Sequence, residues 1–173
     1  ETYRQVWQVE PRIGFWFNED WGVEAFYAAR FNSTNNSYKA LSQALGSGTS
    51  PLIREVNGMY GLLLNWSPWY AKINVFNKVL YFDWYFSLGA GTMATSIGPN
   101  TKTEKPLLWK DENLFAVFLG TGQLFHLSQR VDTRLDVLGH FYSADIYGGT
   151  PTAPRENSIF SNFVISLGFG VKL

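Results

Sequence analysis

Charged residues alternate with uncharged ones in the stretch RVDTRLDV (130–137), which has Arg or Asp at every even position. The odd positions hold apolar residues or Thr. Successive side chains of a strand point to opposite faces, so the four charges share one face. Charges of mixed sign at this spacing can form ion pairs, line a narrow polar pore or supply a pair of catalytic carboxylates.

Two histidines are the other residues with the potential for chemistry. His140 is in phase with these charges, and His126 lies beside a short turn. An Asp–His pair could be hydrolytic, but no motif surrounds either histidine. The chain has no Cys for a thiolate site, and "GAG" (89–91) and "GTG" (120–122) lack the rest of a dinucleotide fingerprint. We therefore predict no enzyme, no catalytic residue, no metal site and no cofactor.

Length and charge narrow the classes of protein further. The 173 residues are enough for a single domain, taken as 1–173. Fourteen basic residues balance fourteen acidic ones, which argues against a nucleic-acid partner. Aromatic residues make up 17% of the chain, a level used by membrane interfaces and by large aromatic cores.

Period-two alternation predicts an all-β chain with strands near 4–17, 21–32, 53–66, 78–95, 113–125, 128–145 and 159–172. No apolar run is long enough for a spanning helix. Several of the strands exceed the usual length of about 5–6 residues. They match the ~9–11 residues that a tilted strand needs to cross a bilayer.

The predicted connections alternate in length. Residues 18–20 and 124–128 are short turns, with a longer connection at 65–77 on the same side. The loops at 32–52, 96–113 and 147–158 are long and polar. Short turns at one end and long loops at the other are typical of outer-membrane barrels. The prediction is a small antiparallel up-and-down transmembrane β-barrel of about eight strands.

Seven strands with these loops leave the two chain ends on opposite sides of the membrane. Bacterial single-chain barrels have an even number of strands. We therefore expect the first strand either to be missing before Glu1 or to be supplied by another copy.

The two faces of the predicted strands differ in side-chain size. In the last strand Phe163, Ile165 and Leu167 oppose Ser166 and Gly168. Small residues next to long charged ones fit the narrow lumen of a small barrel. The predicted lumen charge network is Glu10, Arg12, Glu24, Arg30, Glu55, Asp83, Arg130, Asp132, Arg134, Asp136 and Lys172. The alternative is a soluble lipocalin-like barrel with the charges outside.

Aromatic residues gather at the predicted strand ends, as in the two girdles of a membrane barrel. The predicted girdle positions are Trp21, Trp66, Trp69, Tyr70 and Phe125 at the short turns, and Tyr3, Phe31, Phe141, Tyr147 and Phe160 at the long loops. Ordinary strand-end aromatics are the alternative explanation.

Three segments resemble the outer membrane β-barrel domain family of myxobacteria and Bdellovibrio-like bacteria. They are PRIGFWFNEDWGVEAFY, GLLLNWSPWYAKINVFNKVLYFDWYFSLGAG and FLGTGQLFHLSQRVDTRLDV, and the similarity covers roughly 11–140 plus the final strand. Its most specific part is the Trp–x–Pro–x–Tyr–x–Lys turn at 66–72 with Phe–Asn–Lys at 76–78. The resemblance implies an eight-stranded barrel with a strand ahead of this chain, and it brings no catalytic residues. The ending GFGVKL departs from the terminal aromatic common in outer-membrane barrels.

The sequence therefore predicts a protein of the bacterial outer membrane with a charge-plugged lumen. Its expected role is a structural or anchoring subunit of an envelope assembly, in contact with lipid and either self-associating or part of a larger complex. The alternative is a narrow porin-like channel for small solutes.

Overall fold

A computed structural model describes residues 4–34, 52–75, 78–99, 110–147 and 154–172. These residues form eight β-strands and no helix, so none of them belongs to a helix that could cross a membrane. The strands are β1 (Arg4–Val9), β2 (Arg12–Trp16), β3 (Trp21–Thr34), β4 (Leu52–Val75), β5 (Lys78–Pro99), β6 (Lys110–His126), β7 (Val131–Tyr147) and β8 (Pro154–Val171). The predicted all-β class is confirmed.

The strands form one antiparallel sheet in which neighbours in sequence are neighbours in space, the order being β1-β3-β4-β5-β6-β7-β8. β1 and β2 both pair with β3, at consecutive parts of its length. They act as one strand interrupted at Glu10 and Pro11, because proline has no N–H for a sheet hydrogen bond. The sheet thus has seven positions, in the up-and-down order that the sequence predicts.

The sheet is strongly curled. β2 and β7 are five strand spacings apart along the sheet, which is about 24 Å if the sheet were flat. Nevertheless, Arg12 Nη2 on β2 lies 3.3 Å from Asp136 Oδ2 on β7. The sheet therefore curls far enough to bring side chains of β2, at one edge, and β7, next to the other edge, into an ion pair.

Buried apolar side chains fill part of this inner face. Met59, Leu63, Met93 and Phe118 are almost completely buried, and the ring of Phe118 packs edge-on against Phe26 at 5.0 Å between centroids. The inner space therefore contains an apolar core beside its charged groups.

Strands extend into segments that were predicted as connections. The expected 65–77 connection is wrong, because β4 continues to Val75 and pairs with β5 down to Lys78. A β-bulge between Trp66 and Trp69 accommodates Pro68, and the Ser67 N–H donates to the Asp20 carbonyl at 2.7 Å. β3, β5, β6 and β8 likewise reach into the predicted long loops, whose remaining residues lie outside the described ranges.

The two edges of the sheet run in the same direction. β2 leads into the turn at 17–20, and β8 ends where the Lys172 N–H donates to the Arg130 carbonyl in the turn at 127–130. We call the end of the sheet that contains these turns the short-turn end, and the opposite end the long-loop end. Within the described ranges, β1 and β2 at one edge and β8 at the other have a strand partner on one side only.

Candidate functional site: the buried charges

Arg134 on β7 contacts three other polar side chains of the buried charge network. Its guanidinium donates from Nη1 to Glu24 Oε1 at 2.8 Å, from Nε to Asp136 Oδ2 at 2.9 Å and from Nη2 to the Tyr85 hydroxyl at 2.5 Å. The Tyr85 hydroxyl in turn donates to Asp136. One side chain thus links β3, β5 and β7 through charge-assisted hydrogen bonds, which are the strongest class in proteins.

Arg12 on β2 extends this cluster towards the edge of the sheet. Its guanidinium lies 2.5 Å from Glu10, 3.4 Å from Glu24 and 3.3 Å from Asp136. Gln8 donates an additional hydrogen bond to Glu10. We define the central charge network as Glu10, Arg12, Glu24, Tyr85, Arg134 and Asp136. Its charged side chains are only 6–15% exposed, so their charges interact mainly with one another rather than with water.

Glycines on the inner face make room for this network. A Cβ atom on Gly122 would overlap the Tyr85 ring and the Asp136 carboxylate, and one on Gly14 would lie 2.7 Å from Glu24 Cγ. Gly122 pairs directly with Asp136 across β6 and β7. The small residues that the sequence places on the charged face are therefore in direct contact with the charged side chains of neighbouring strands.

A second cluster of charged side chains lies at the short-turn end of the inner face. Each ring nitrogen of His126 lies 2.9 Å from a carboxylate oxygen, one of Asp83 and one of Asp132. Lys172 Nζ approaches Asp132 at 3.2 Å. We define the turn-end cluster as Asp83, His126, Asp132 and Lys172. Beside it is a cavity of about 500 Å³ whose lining residues include Glu19, Asp20, Ser67 and Tyr70.

A third group of charges, at the long-loop end, was not predicted. Arg54 Nη1 lies 2.6 Å from Glu112 Oε2, and Arg54 Nη2 donates to the Asp145 carbonyl at 2.8 Å. A bulge at Asn57, between Val56 and Gly58 of β4, reverses the alternation of faces there. The predicted place of Glu55 in the lumen charge network assumed unbroken alternation along β4 and is wrong. Glu55 is buried, but it pairs with Ser96 on the outward face, and Arg54 takes the inward position instead.

Arg30 and His140 meet inside the curled sheet. Arg30 Nη2 lies 3.3 Å from His140 Nδ1, and Arg30 Nε donates to Gln8 at 2.9 Å. His140 is completely buried, and its ring packs edge-on against Phe118 at 5.4 Å. Its Nε2 atom has no hydrogen-bond partner within the described part of the chain. This environment offers His140 a cation and an aromatic ring instead of a carboxylate partner.

Arg130 does not join the buried charges, so this part of the predicted network needs correction. Arg130 lies in the exposed turn before β7, and its N–H donates to Ser128 Oγ at 3.3 Å. The strand begins only at Val131, so the alternation that orients Asp132, Arg134 and Asp136 inward does not extend to Arg130.

The predicted aromatic positions at the short-turn end lie on the outer face and contact other aromatic rings there, with one exception. Trp21 stacks on Trp66 at 5.9 Å, and Trp69 packs against Phe86 at 5.7 Å. Phe125 packs against Phe82 at 5.3 Å. Tyr70 is the exception, because the bulge at Ser67 and Pro68 turns it to the face that carries Asp83.

The predicted girdle at the long-loop end is less uniform. Phe141 contacts Phe163 at 6.0 Å, and Phe31 is exposed. Phe160 stacks on the buried Tyr142 at 5.6 Å and belongs to the inner core instead. Tyr3 and the side chain of Tyr147 lie outside the described part of the structure.

The arrangement is suited to holding strands together. The described residues include no group of three His, Cys, Asp or Glu side chains positioned to bind a metal ion. The carboxylates of Glu24, Asp132 and Asp136 are each held by a cationic or histidine side chain. Ion pairs link β2, β3 and β7 across the inner space, and a hydrogen bond from Arg134 to Tyr85 adds β5.

The fold defines a class, a curled up-and-down antiparallel sheet, and the comparisons with known proteins go no further. No family model matches the chain, and no curated protein or solved structure matches it. The resemblance to the outer membrane β-barrel domain family therefore stays a prediction.

Proposed function

We propose that this chain is a small bacterial outer-membrane β-barrel, plugged by its own side chains, that serves as a structural or anchoring subunit of the envelope. The observation that carries the proposal is the placement of charged and apolar side chains, which is the reverse of that in a water-soluble sheet. Ion pairs are buried inside, whereas large apolar side chains such as Phe115, Leu135 and Phe163 are exposed outside. In water, an exposed apolar surface of this extent is unfavourable, and hydrocarbon removes that penalty.

The height of the outer apolar band matches a bilayer. On β7 the outward residues from Val131 to Phe141 are apolar, Thr or Gly, and Ser143 is the next outward position. Ten residue steps at about 3.4 Å, tilted by about 40°, span roughly 26 Å. The apolar band of an outer-membrane barrel is about 25 Å tall.

Two threonine hydroxyl groups within this outer band have partners inside the protein. Thr121 Oγ1 donates to the Tyr85 carbonyl at 2.9 Å and accepts from Trp84 Nε1 at 2.7 Å. Thr133 Oγ1 donates to the Gly168 carbonyl at 2.9 Å. A surface bathed by water does not need such pairing, but one bathed by hydrocarbon does.

The proposal includes closure of the barrel by an eighth strand. The outward side chains of the edge strands are much more exposed, with Ile13 of β2 at 77% and Phe169 of β8 at 76%, than Leu135 and Val137 of β7 at 43% and 42%. Each edge residue lacks a neighbouring strand on one side. Because β2 and β8 run in the same direction, a single strand antiparallel to both fits between them. This strand comes either from a longer native polypeptide or from another chain.

The source of the closing strand can be tested by measuring the mass of the species that detergent extracts from native membranes. We expect a mass above 19.6 kDa, the mass of this chain. The additional mass belongs either to a longer polypeptide or to a second copy or another protein in a stable complex. A stable, folded 19.6 kDa monomer would contradict closure by an added strand.

The lumen contents favour a structural role over transport. Phe118, Met59 and Leu63 are completely or almost completely buried in the inner space, and the central charge network spans it beside them. A lumen filled in this way leaves little continuous water for a solute to follow.

Planar-bilayer recording tests this role. We expect no steady current from the protein, whereas discrete openings would contradict the plugged lumen and favour a narrow porin-like channel.

The membrane location is tested separately. Vesicles that contain the protein are washed with alkaline carbonate, which removes peripheral proteins. Retention of the chain in the washed vesicles is expected, and its release would contradict the membrane location itself.

A further inference from the structure

The hairpin of β4 and β5 extends past the strands on either side of it at the short-turn end. β3 pairs with β4 only as far as Trp66, and β6 pairs with β5 only from Tyr81 onwards. β4 continues to Val75, and β5 begins at Lys78. We call the paired segments Trp69–Val75 and Lys78–Trp84 the β4–β5 ribbon. Towards its tip, no other strand of the described chain covers its edges.

The ribbon has one apolar face and one mixed face. The bulge at Ser67 and Pro68 sets this division, since Trp66 and Trp69 both point outward across it. The apolar face consists of Trp69, Ala71, Ile73, Leu80, Phe82 and Trp84. The opposite face consists of Tyr70, Lys72, Asn74, Val79, Tyr81 and Asp83.

The apolar face continues the outer wall of the sheet without a break. Trp69 packs against Phe86 at 5.7 Å, and Phe82 packs against Phe125 at 5.3 Å. Trp69 is 57% exposed and Ile73 is 47% exposed. A two-stranded ribbon is at best marginally stable alone in water, so an occupant that covers this face also stabilises the ribbon.

We propose that the β4–β5 ribbon rests on the phospholipid surface at the short-turn end, with its apolar face at the boundary between headgroups and acyl chains. This inference rests on the membrane location proposed above. Continuity with the outer wall favours lipid as the occupant, because lipid covering the wall would meet the ribbon next. Trp rings, such as those of Trp69 and Trp84 on the apolar face, are enriched at this depth in membrane proteins.

Because the chain has no Cys, a single introduced Cys can carry a nitroxide label without background. Ile73→Cys and Asn74→Cys place labels on opposite faces of the ribbon, and both native side chains are exposed. The labelled proteins are reconstituted into vesicles of phosphatidylethanolamine and phosphatidylglycerol. Collision rates are then measured with oxygen, which concentrates in lipid, and with a water-soluble nickel chelate.

We expect the label at 73 to collide preferentially with oxygen and the label at 74 with the nickel chelate. Lys72→Cys provides a second water-side site and should behave like Asn74→Cys. Equal, water-like accessibility at 73 and 74 would overturn the inference. So would protection of 73 that requires native membranes containing other proteins, because it would identify a protein partner instead of lipid.

A control label distinguishes failure of this inference from failure of the proposed function. Ile165→Cys lies on the outer face of β8, far from the ribbon in sequence, and its native side chain is 75% exposed. An oxygen-accessible label at 165 with a water-accessible label at 73 would reject only the ribbon inference. A water-accessible label at 165 would reject the membrane location and the ribbon inference together.

Discussion

Arg134 shows how a single residue can connect distant parts of the sheet. Its guanidinium binds two carboxylates and one hydroxyl, and Glu24 lies 110 residues away in sequence. A buried charge that loses its partner costs several kcal/mol, because burial limits the hydration that could replace that partner. Arg134 therefore stabilises the fold by giving two buried carboxylates, those of Glu24 and Asp136, a shared cationic partner.

We predict that Arg134→Ala destabilises the folded protein by about 3–5 kcal/mol, the usual effect of removing one member of a buried ion pair. Urea unfolding in vesicles, followed by tryptophan fluorescence, measures this loss. Arg130→Ala is the matched control, because Arg130 lies in the same segment but in the exposed turn, and its effect should stay within about 0.5 kcal/mol. Similar losses for the two variants would show that the central charge network does not bear on stability.

The sequence correctly indicated which face of the sheet most of the buried charged residues occupy. Strict alternation was enough to place Glu24, Arg134 and Asp136 on one face, because a regular strand has a period of two. It could not show which partners meet across the inner space, since the curl of the sheet determines the pairing of Arg12 with Asp136. The hydroxyl of Tyr85 was missed because its role depends on this long-range contact.

The errors made from sequence occur where elements depart from regular geometry. One extra residue at each β4 bulge shifts the phase, so Arg54 takes the position expected for Glu55 and Tyr70 leaves the outer girdle. Pro68 is a visible signal of a bulge, because proline inside a sheet is confined to such places or to edges. Asn57 carries no comparable signal, and only the pairing of β4 with β5 reveals it.

At the scale of the element, we predict that deletion of Asn57 preserves the faces of β4. Val56 and Gly58 already pair with the consecutive residues Thr95 and Ala94, so the deletion removes only the bulge. The loss of the Asn57 hydrogen bond to Ser96 should cost about 1 kcal/mol. Deletion of Leu62, which lies in a regular part of β4, shifts every later side chain to the opposite face and should prevent folding.

The two deletions can be compared by urea unfolding and by electrophoretic mobility of unheated samples, which separates folded from unfolded barrels. Equal tolerance of both deletions would show that register in β4 does not depend on the buried face. Failure of the Asn57 deletion to fold would show that the bulge itself is required.

At the scale of the whole molecule, the account depends on which solvent bathes the outer wall. Ion pairs bury their charges inside, and the side chains of Leu135 and Val137 lie near the middle of a band about as tall as a bilayer core. A water-soluble protein with the same sheet would expose this band to water. The two environments respond differently to one charged substitution.

The most direct measurement is the free energy of unfolding of Leu135→Arg in lipid vesicles, compared with Asn113→Arg. Asn113 is exposed on the outward face of β6, beyond the apolar residue Phe115. The account predicts a loss of about 2–4 kcal/mol for Leu135→Arg near the bilayer centre and about 0–1 kcal/mol for Asn113→Arg near its boundary. Losses within about 0.5 kcal/mol for both variants would contradict it, because that is the response of a surface exposed to water.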